Sequence, residues 1–339
     1  MNNIIILVDD RGFFYSSTRE DGGSLDVQKL KKNLETLNYN VEVKSFYEIE
    51  FHNIYKDKII LYQSTEDPDL KYKDYIEDIL LGLKNSGAIL IPDFDKFRAH
   101  HNKTYMEILR EIYDLNKDTN ICSKKYGTIE EFKRDIEKHI FPVVIKPGAG
   151  SRSRKVYKAV NIRDAITKAR KVSKTPTLTN FKRATKAFFN RKDYKPISNY
   201  RGKFIVQNYV ENLRGDYKIL VYADKYYILE RQNRTNDFRA SGSGKFSFPE
   251  NPPIDLLDFS RNIFNKLRTP FASFDIALKN NQPYLIEFQF VSFGQYTLEK
   301  SLFYFKNKGG IWKKIKETSD LEKVFAESVD KYIKLYISK

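Results

Sequence analysis

Hydrophobic and polar positions alternate along the first ninety residues in a regular way. Residues 3–8 carry five aliphatic side chains in a row and read as a strand buried on both faces. A helix follows, with Val27, Leu30, Leu34 and Leu37 on one face and Ser24 as its expected N-cap. Strands are expected over 40–46 and 58–62, a helix over 72–85, and a fourth strand over 88–91, entered through Gly87. Strand and helix in alternation predict a parallel sheet covered by helices, with ligand-accessible loops at the carboxyl ends of its strands. The class is therefore α/β, and this first domain is expected to span residues 1–97.

The pattern then changes. A helix over 103–115 precedes a strand over 141–147, the glycine-containing turn Gly148-Ala149-Gly150-Ser151, a strand over 155–160 and a helix from Ile162. Residues 174–203 form a polar, basic excursion with Pro176 and Pro196, which reads as a lid or insertion. Strands resume over 204–209, 217–222 and 226–231, the last two joined around Ala223-Asp224-Lys225, and the chain closes with a hairpin over 274–290 and a helix over 320–336. Mixed strands of this kind suggest α+β organisation, divided at 98–202 and 203–339.

Composition narrows the function classes. A chain of 339 residues, 41% hydrophobic and 31% charged, is long enough for about two globular domains. The apolar runs fall short of a membrane helix, and the N-terminal run stops at Asp9-Asp10 without a preceding basic residue. No membrane insertion is expected. The single cysteine, Cys122, suits a reducing cytoplasm and a packing role. The net charge of +16 is concentrated: residues 152–203 hold 17 Lys and Arg against Asp164 and Asp193. Such a segment attracts phosphates, acidic substrates or nucleic acid, or forms a solvated lid; its confinement to one segment favours the first two over nucleic acid. His100 and His101 are adjacent and diverge on any regular element, which disfavours zinc.

Two glycine patterns are decoys. Gly242-Ser243-Gly244-Lys245 lacks the P-loop's first glycine and its hydroxyl after the lysine, those positions being Arg239 and Phe246. Gly148-Ala149-Gly150 lacks the third glycine of a dinucleotide fingerprint, with Ser153 in its place. Ile145-Lys146-Pro147-Gly148-Ala149-Gly150-Ser151 still reads as a phosphate site: an ammonium at a strand end, then backbone N–H groups with the hydroxyls of Ser151 and Ser153. In the last hairpin a three-residue loop, Asn280-Asn281-Gln282, would set Asp275 opposite Glu287, with Gln289 on the same face. Two carboxylates and an amide oxygen suit Mg²⁺. A two-residue loop would separate the acids onto opposite faces.

The order of Lys103, Val143-Val144-Ile145-Lys146-Pro147, the glycine turn, Val206-Gln207-Asn208-Tyr209-Val210, Asp216, Asp275 and Glu287-Phe288-Gln289 resembles the ATP-grasp superfamily over residues 95–300. The N-terminal unit is similar to the Rossmann-like domain that usually precedes that fold. The resemblance implies that Lys103 and Lys146, with Gly148, Gly150, Ser151 and Ser153, contact the phosphates of ATP. It implies that Gln207, Tyr209 and Val210 hold adenine, and that Asp216, with Lys218 nearby, binds the ribose. It further implies that Asp275, Glu287 and Gln289 ligate Mg²⁺, or Mn²⁺ in its place. Gln289 and Asn102 depart from the residues the family more often carries, Asn and Asp. Arg231 and Arg239 are the candidate catalytic arginines, aimed at the charge of an acyl phosphate and tetrahedral intermediate.

The implied activity is a carboxylate–amine ligase that forms an amide through an acyl phosphate. The partners would be a small-molecule or glycan carboxylate and an amine. The stretch 236–243 resembles ATP-grasp proteins of surface-polysaccharide pathways, which suggests an acidic sugar or amino acid; the basic lid equally fits an acidic protein tail. Arg11, Arg19, Ser64 and Arg98 are candidate substrate contacts. The competing class is a non-catalytic polyanion-binding protein. Oligomeric state is left open.

Overall fold

The computed structural model describes residues 3–14, 25–52, 54–65, 67, 69–150, 155–175, 197–234, 237, 239–240 and 243–337. Contacts divide the chain into a discontinuous unit, residues 1–100 with 214–339, and a continuous one, residues 101–213.

The discontinuous unit opens with β1 (Asn3–Val8), α1 (Val27–Thr36), β2 (Asn40–Ser45), β3 (Ile59–Leu61), α2 (Lys71–Asn85), β4 (Ile89–Ile91) and a short α3 (Phe94–Arg98). The strands are all parallel, in the order β2-β1-β3-β4, as the alternation predicts. The α1 N-cap is Asp26, whose carboxylate accepts the N–H groups of Gln28 and Lys29. The expected cap, Ser24, lies outside the described residues.

In the continuous unit, α4 (Lys103–Ile112), α5 (Asn116–Thr119), β5 (Ser123–Tyr126), α6 (Ile129–Asp135), β6 (Val143–Pro147), β7 (Tyr157–Ala159), α7 (Ile162–Ser173) and β8 (Phe204–Asn208) follow in chain order. Its sheet is antiparallel, β5-β8-β6-β7. Alternation puts Val143, Ile145, Phe204, Val206, Tyr126 and Ala159 on one face, where they are buried with Phe132, Ala165 and Ala169 of α6 and α7. The sequence reading opened the segment 203–339 with β8, but β8 hydrogen-bonds to β5 and β6. Residues 176–196, the bulk of the expected lid, lie outside the described residues.

The discontinuous unit resumes with β9 (Gly215–Tyr222), β10 (Lys225–Gln232), β11 (Phe246–Ser247), α8 (Ile254–Leu267), β12 (Phe271–Lys279), β13 (Gln282–Gln289), α9 (Tyr296–Lys300), β14 (Phe303–Lys308), β15 (Ile311–Lys316) and α10 (Leu321–Tyr336). These strands build one antiparallel sheet, β13-β12-β9-β10-β14-β15, with β11 on β10. A single core joins it to the parallel sheet: Ile4, Ile6, Leu30 and Leu34 are buried with Leu220, Phe271, Phe325 and Val329. Each such side chain contributes about 1.5–3 kcal/mol on burial. The segment after β13 is also tied to the segment after β3, because Ser292 Oγ donates to the Ser64 carbonyl at 2.7 Å and accepts the Ser64 N–H at 3.0 Å.

Candidate active site

In the discontinuous unit the site is built outward from β9. Asp216 and Lys218 are two residues apart and share a face. The register sets Arg231 of β10 opposite Asp216, and Asp275 of β12 opposite Lys218. One strand further, Glu287 of β13 stands opposite Asp275 and Gln289 opposite Ser273. Four neighbouring strands thus bring all the expected metal donors, Asp216, Lys218 and Arg231 onto one face.

The hairpin reaches this register by a route other than the expected one. Its loop has two residues: Lys279 pairs with Gln282, and Asn280 and Asn281 turn the chain at φ 52° and 63°. Regular pairing from that turn would set Asp275 against Ile286 and send Glu287 to the opposite face. A β-bulge intervenes: Ile276 pairs with Leu285 but Asp275 pairs with Glu287, leaving Ile286 as the extra residue. The three-residue loop is therefore corrected to a two-residue loop plus a bulge, and the face of the acids is preserved.

Arg231 ties the site together. Its Nε donates to Asp216 Oδ1 at 2.6 Å, and a terminal nitrogen lies 2.9 Å from Asp275 Oδ2. Burial raises the Asp216 pKa to about 6, and the neighbouring Asp275 carboxylate adds to the rise against the opposing pull of Arg231. Burial also lowers the pKa of Lys218, whose ammonium donates to Ser273 Oγ at 2.9 Å. Burial opposes charge on Arg231, but Asp275 and Asp216 outweigh it and hold the guanidinium protonated. Gly215 makes the close strand approach possible, since a Cβ there would sit 2.1 Å from the Arg231 carbonyl oxygen.

The donor set fits a hard cation. Two carboxylates facing each other across a strand pair, with an amide oxygen two residues on, supply oxygen ligands only. Among the described residues, no group of three His, Cys, Asp or Glu has metal-holding geometry, and the third donor here is an amide. Asp275 is shared with Arg231, so a cation and the guanidinium draw on the same carboxylate. Arg239 is engaged differently: its Nε donates to Asp237 Oδ1 at 3.0 Å and a terminal nitrogen to Oδ2 at 2.6 Å, a bidentate fork within its own loop.

The continuous unit carries the other candidates. Asn102 caps α4, accepting the Tyr105 N–H at 3.2 Å and the Lys203 ammonium at 2.8 Å. Lys103 is buried at the first turn, and its N–H donates to the Gly148 carbonyl at 2.7 Å. The Gly148 N–H in turn donates to the Lys203 carbonyl at 2.8 Å, and a Cβ on Gly148 would lie 2.7 Å from that oxygen. Gly148 is thus a close-approach glycine with its N–H engaged by backbone, which corrects the reading of that N–H as a phosphate donor. Gly150, at φ 129°, is required by the left-handed backbone. Ser151 and Ser153 lie outside the described residues.

Lys146 and Gln207 share the sheet face opposite the α6–α7 core, because Val144 pairs with Gln207 and Lys146 with Ile205. Gln207 is buried and its Nε2 donates to Ser123 Oγ at 3.1 Å, which orients the amide. Tyr209 and Val210 follow β8, and the Lys158 ammonium lies 3.9 Å from the Tyr209 ring centroid. Lys158 and Lys203 were not singled out from the sequence; the alternation of β7, which puts Lys158 across from Val144, was the available signal for the first. Of the substrate candidates, Arg11 pairs with the buried Asp9 at 2.9 Å, Arg98 pairs with Glu77 at 2.7 Å, and Ser64 is held by Ser292. Arg19 lies outside the described residues.

No family model and no curated relative matches the chain. Among solved structures it is similar to D-cycloserine synthetase DcsG, at 11% identity and TM-score 0.57 over 97% of this chain and 99% of that one. It is also similar to a RiPP-associated ATP-grasp ligase of Chryseobacterium gregarium, solved with ADP and a leader and core peptide, at 14% identity and TM-score 0.54 over 98% and 97% of the two chains. A third likeness is the RimK domain ATP-grasp protein of Sphaerobacter thermophilus, at 10% identity and TM-score 0.51 over 97% and 99%. The chain has the ATP-grasp fold.

Proposed function

We propose that this protein is an ATP-dependent carboxylate–amine ligase that activates its carboxylate as an acyl phosphate and passes it to an amine. The observation that carries the reading is the register that gathers Asp275, Glu287, Gln289, Asp216, Lys218 and Arg231 on one face of an ATP-grasp sheet. Asp275, Glu287 and Gln289 hold Mg²⁺, or Mn²⁺, which when bound offsets charge on the transferring phosphoryl group. Lys103 and Lys146 bind the phosphates, Gln207, Tyr209 and Val210 the adenine, and Asp216 the ribose. Arg231, which also fixes the Asp216 and Asp275 carboxylates in place, and Arg239, oriented by Asp237, are the catalytic arginines that meet the charge developing on the acyl phosphate and the tetrahedral intermediate.

For the carboxylate we keep an acidic sugar or amino acid of surface-polysaccharide synthesis. An acidic protein or peptide tail is the second class, favoured by a similar structure solved with a leader and core peptide. Incubation with Mg-ATP, hydroxylamine and a panel of carboxylates tests the activity: the correct acid gives a hydroxamate with stoichiometric phosphate release. Folded protein that binds ATP yet forms no hydroxamate with any acid of either class, and binds polyanions regardless of Mg-ATP, would leave the polyanion-binding reading instead.

A further inference from the structure

The β9–β10 hairpin has a second end. Its turn, Ala223–Asp224, follows the Tyr222–Lys225 pair, six residues along β9 from Asp216, or roughly 20 Å at about 3.4 Å per residue. There the end of α8, the start of β12 and α10 enclose a partly open cavity of about 230 Å³. Nothing in the proposed ligase chemistry uses it.

Its lining is rich in donors. Arg261, Arg268 and Lys331 bring three cations against one carboxylate, Asp224. That carboxylate is already held by Lys306 at 2.6 Å and by Lys331 at 3.0 Å. The carboxyl ends of α8 and α10 add about half a negative charge each, which leaves the cavity positive. Asn307 also lines the cavity, its Oδ1 accepting the Gly310 N–H at 3.0 Å.

The rest of the lining is mixed and includes the aromatic rings of Tyr226, Phe264 and Tyr332. An apolar cavity of about 150 Å³ accommodates a benzene ring, so the present volume has room for a ring and a charged head. We propose that this cavity is a binding site for a small aromatic anion, a ring bearing a carboxylate or phosphate. The head meets Arg261, Arg268 and Lys331, and the ring lies against Tyr226, Phe264 and Tyr332. The site is separate from the face that carries Asp275 and Glu287, and it does not depend on the ligase reading.

The chain has its own reporter. Trp312, the single tryptophan, packs edge-on against Tyr226 with centroids 5.0 Å apart, and the Arg261 guanidinium lies 5.9 Å from its ring. Titrating the full-length protein with phenyl phosphate and with benzoate should change Trp312 emission saturably, with calorimetry on the same samples giving the same Kd. Neutral benzamide should give no saturable change, and inorganic phosphate should bind at least tenfold more weakly than phenyl phosphate. Arg268→Asn, which retains a residue tolerant of the left-handed backbone at φ 45°, combined with Lys331→Met should raise the phenyl phosphate Kd at least tenfold. Each side chain is largely exposed, and circular dichroism checks that the variant is folded. Absence of saturable binding by both methods, binding unchanged in the folded double variant, or equal affinity for benzamide would overturn the proposal.

Discussion

The two units carry their candidate residues in opposite electrostatic states. In the discontinuous unit, Arg231 lies between Asp216 and Asp275, and Lys218 stands across from Asp275, so acids and bases largely neutralise one another on the same face. In the continuous unit the register places Lys146, Lys158, Gln207 and Ser123 together, with no acid among them. The difference suits the two tasks proposed for these faces. For the cation site proposed at Asp275, Glu287 and Gln289, the Arg231 guanidinium would hold Asp275 in place before a cation arrives. A face that receives phosphates benefits from cations already clustered. It also explains why geometry is fixed differently: by side-chain ion pairs across strands in the first case, and by backbone bonds from Lys103 to Gly148 and from Gly148 to Lys203 in the second.

The contrast can be broken most strongly at Glu287. Glu287→Gln keeps the shape of the side chain but removes a charge from the donor set, so ATP-dependent phosphate release should fall about a thousandfold or more while the circular dichroism spectrum is retained. Substitution at Gly215 strikes the scaffold instead. A methyl group 2.1 Å from the Arg231 carbonyl must push β9 from β10, so Gly215→Ala should cost about 2–4 kcal/mol in denaturant unfolding and loosen the Arg231 pairings. Lys146→Met probes the cationic face. Loss of charge-assisted phosphate contacts worth about 1.5–3 kcal/mol should raise the KM for ATP by about 10- to 100-fold, with a smaller effect on kcat than Glu287→Gln produces.

The pH dependence should separate the units as well. Burial raises the Asp216 pKa to about 6, so the stability linked to its protonated form is present below the ordinary carboxylate range and is lost as pH rises from about 4 through 6. Asp135 behaves oppositely: hydrogen bonds from Lys124, Lys138 and Tyr126 depress its pKa, and its contribution is present above the ordinary range and lost as pH falls below it. Hydrogen exchange across a pH series should therefore show loosening around β9 on the alkaline side and around α6 on the acid side. A uniform response of both regions would contradict the contrast. The smallest effect is expected at the hairpin turn, where Asn281→Gly, at φ 63°, should change stability by no more than about 1 kcal/mol and leave the Asp275–Glu287 pairing in place.

Much of the fold was written in local pattern. The runs at β1, β3 and β4, the periodicity of α1 and α2, and their alternation required a parallel sheet, because strands joined by helices can bury both faces only that way. Helix ends were less legible: α1 is capped by Asp26, whose side chain meets two N–H groups, and Ser24, two residues earlier, was an equally good cap by composition alone. The helix α8 and the β14–β15 hairpin were not anticipated. Lysines interrupt the apolar pattern of that hairpin, and its strand character comes from pairing with β10 and from packing, Trp312 reaching Asp258 of α8 at 2.9 Å.

The amino-acid sequence on its own determined which chemistry was available: the oxygen donors Asp275, Glu287 and Gln289, the lysines at positions 103 and 146, and the spacing that resembles an ATP-grasp enzyme. Tertiary structure decided how those groups are deployed. The side-chain period of a strand is two, so a single residue chooses between faces, and neither the two-residue turn nor the bulge at Ile286 that compensates for it can be counted from residue numbers. The same holds for the bridge from Arg231 to Asp216 and Asp275, and for Gly148, whose role is set by how closely Lys203 approaches it. Those facts depend on cross-strand register and backbone proximity between residues distant in the chain, and these are settled only when the whole core packs.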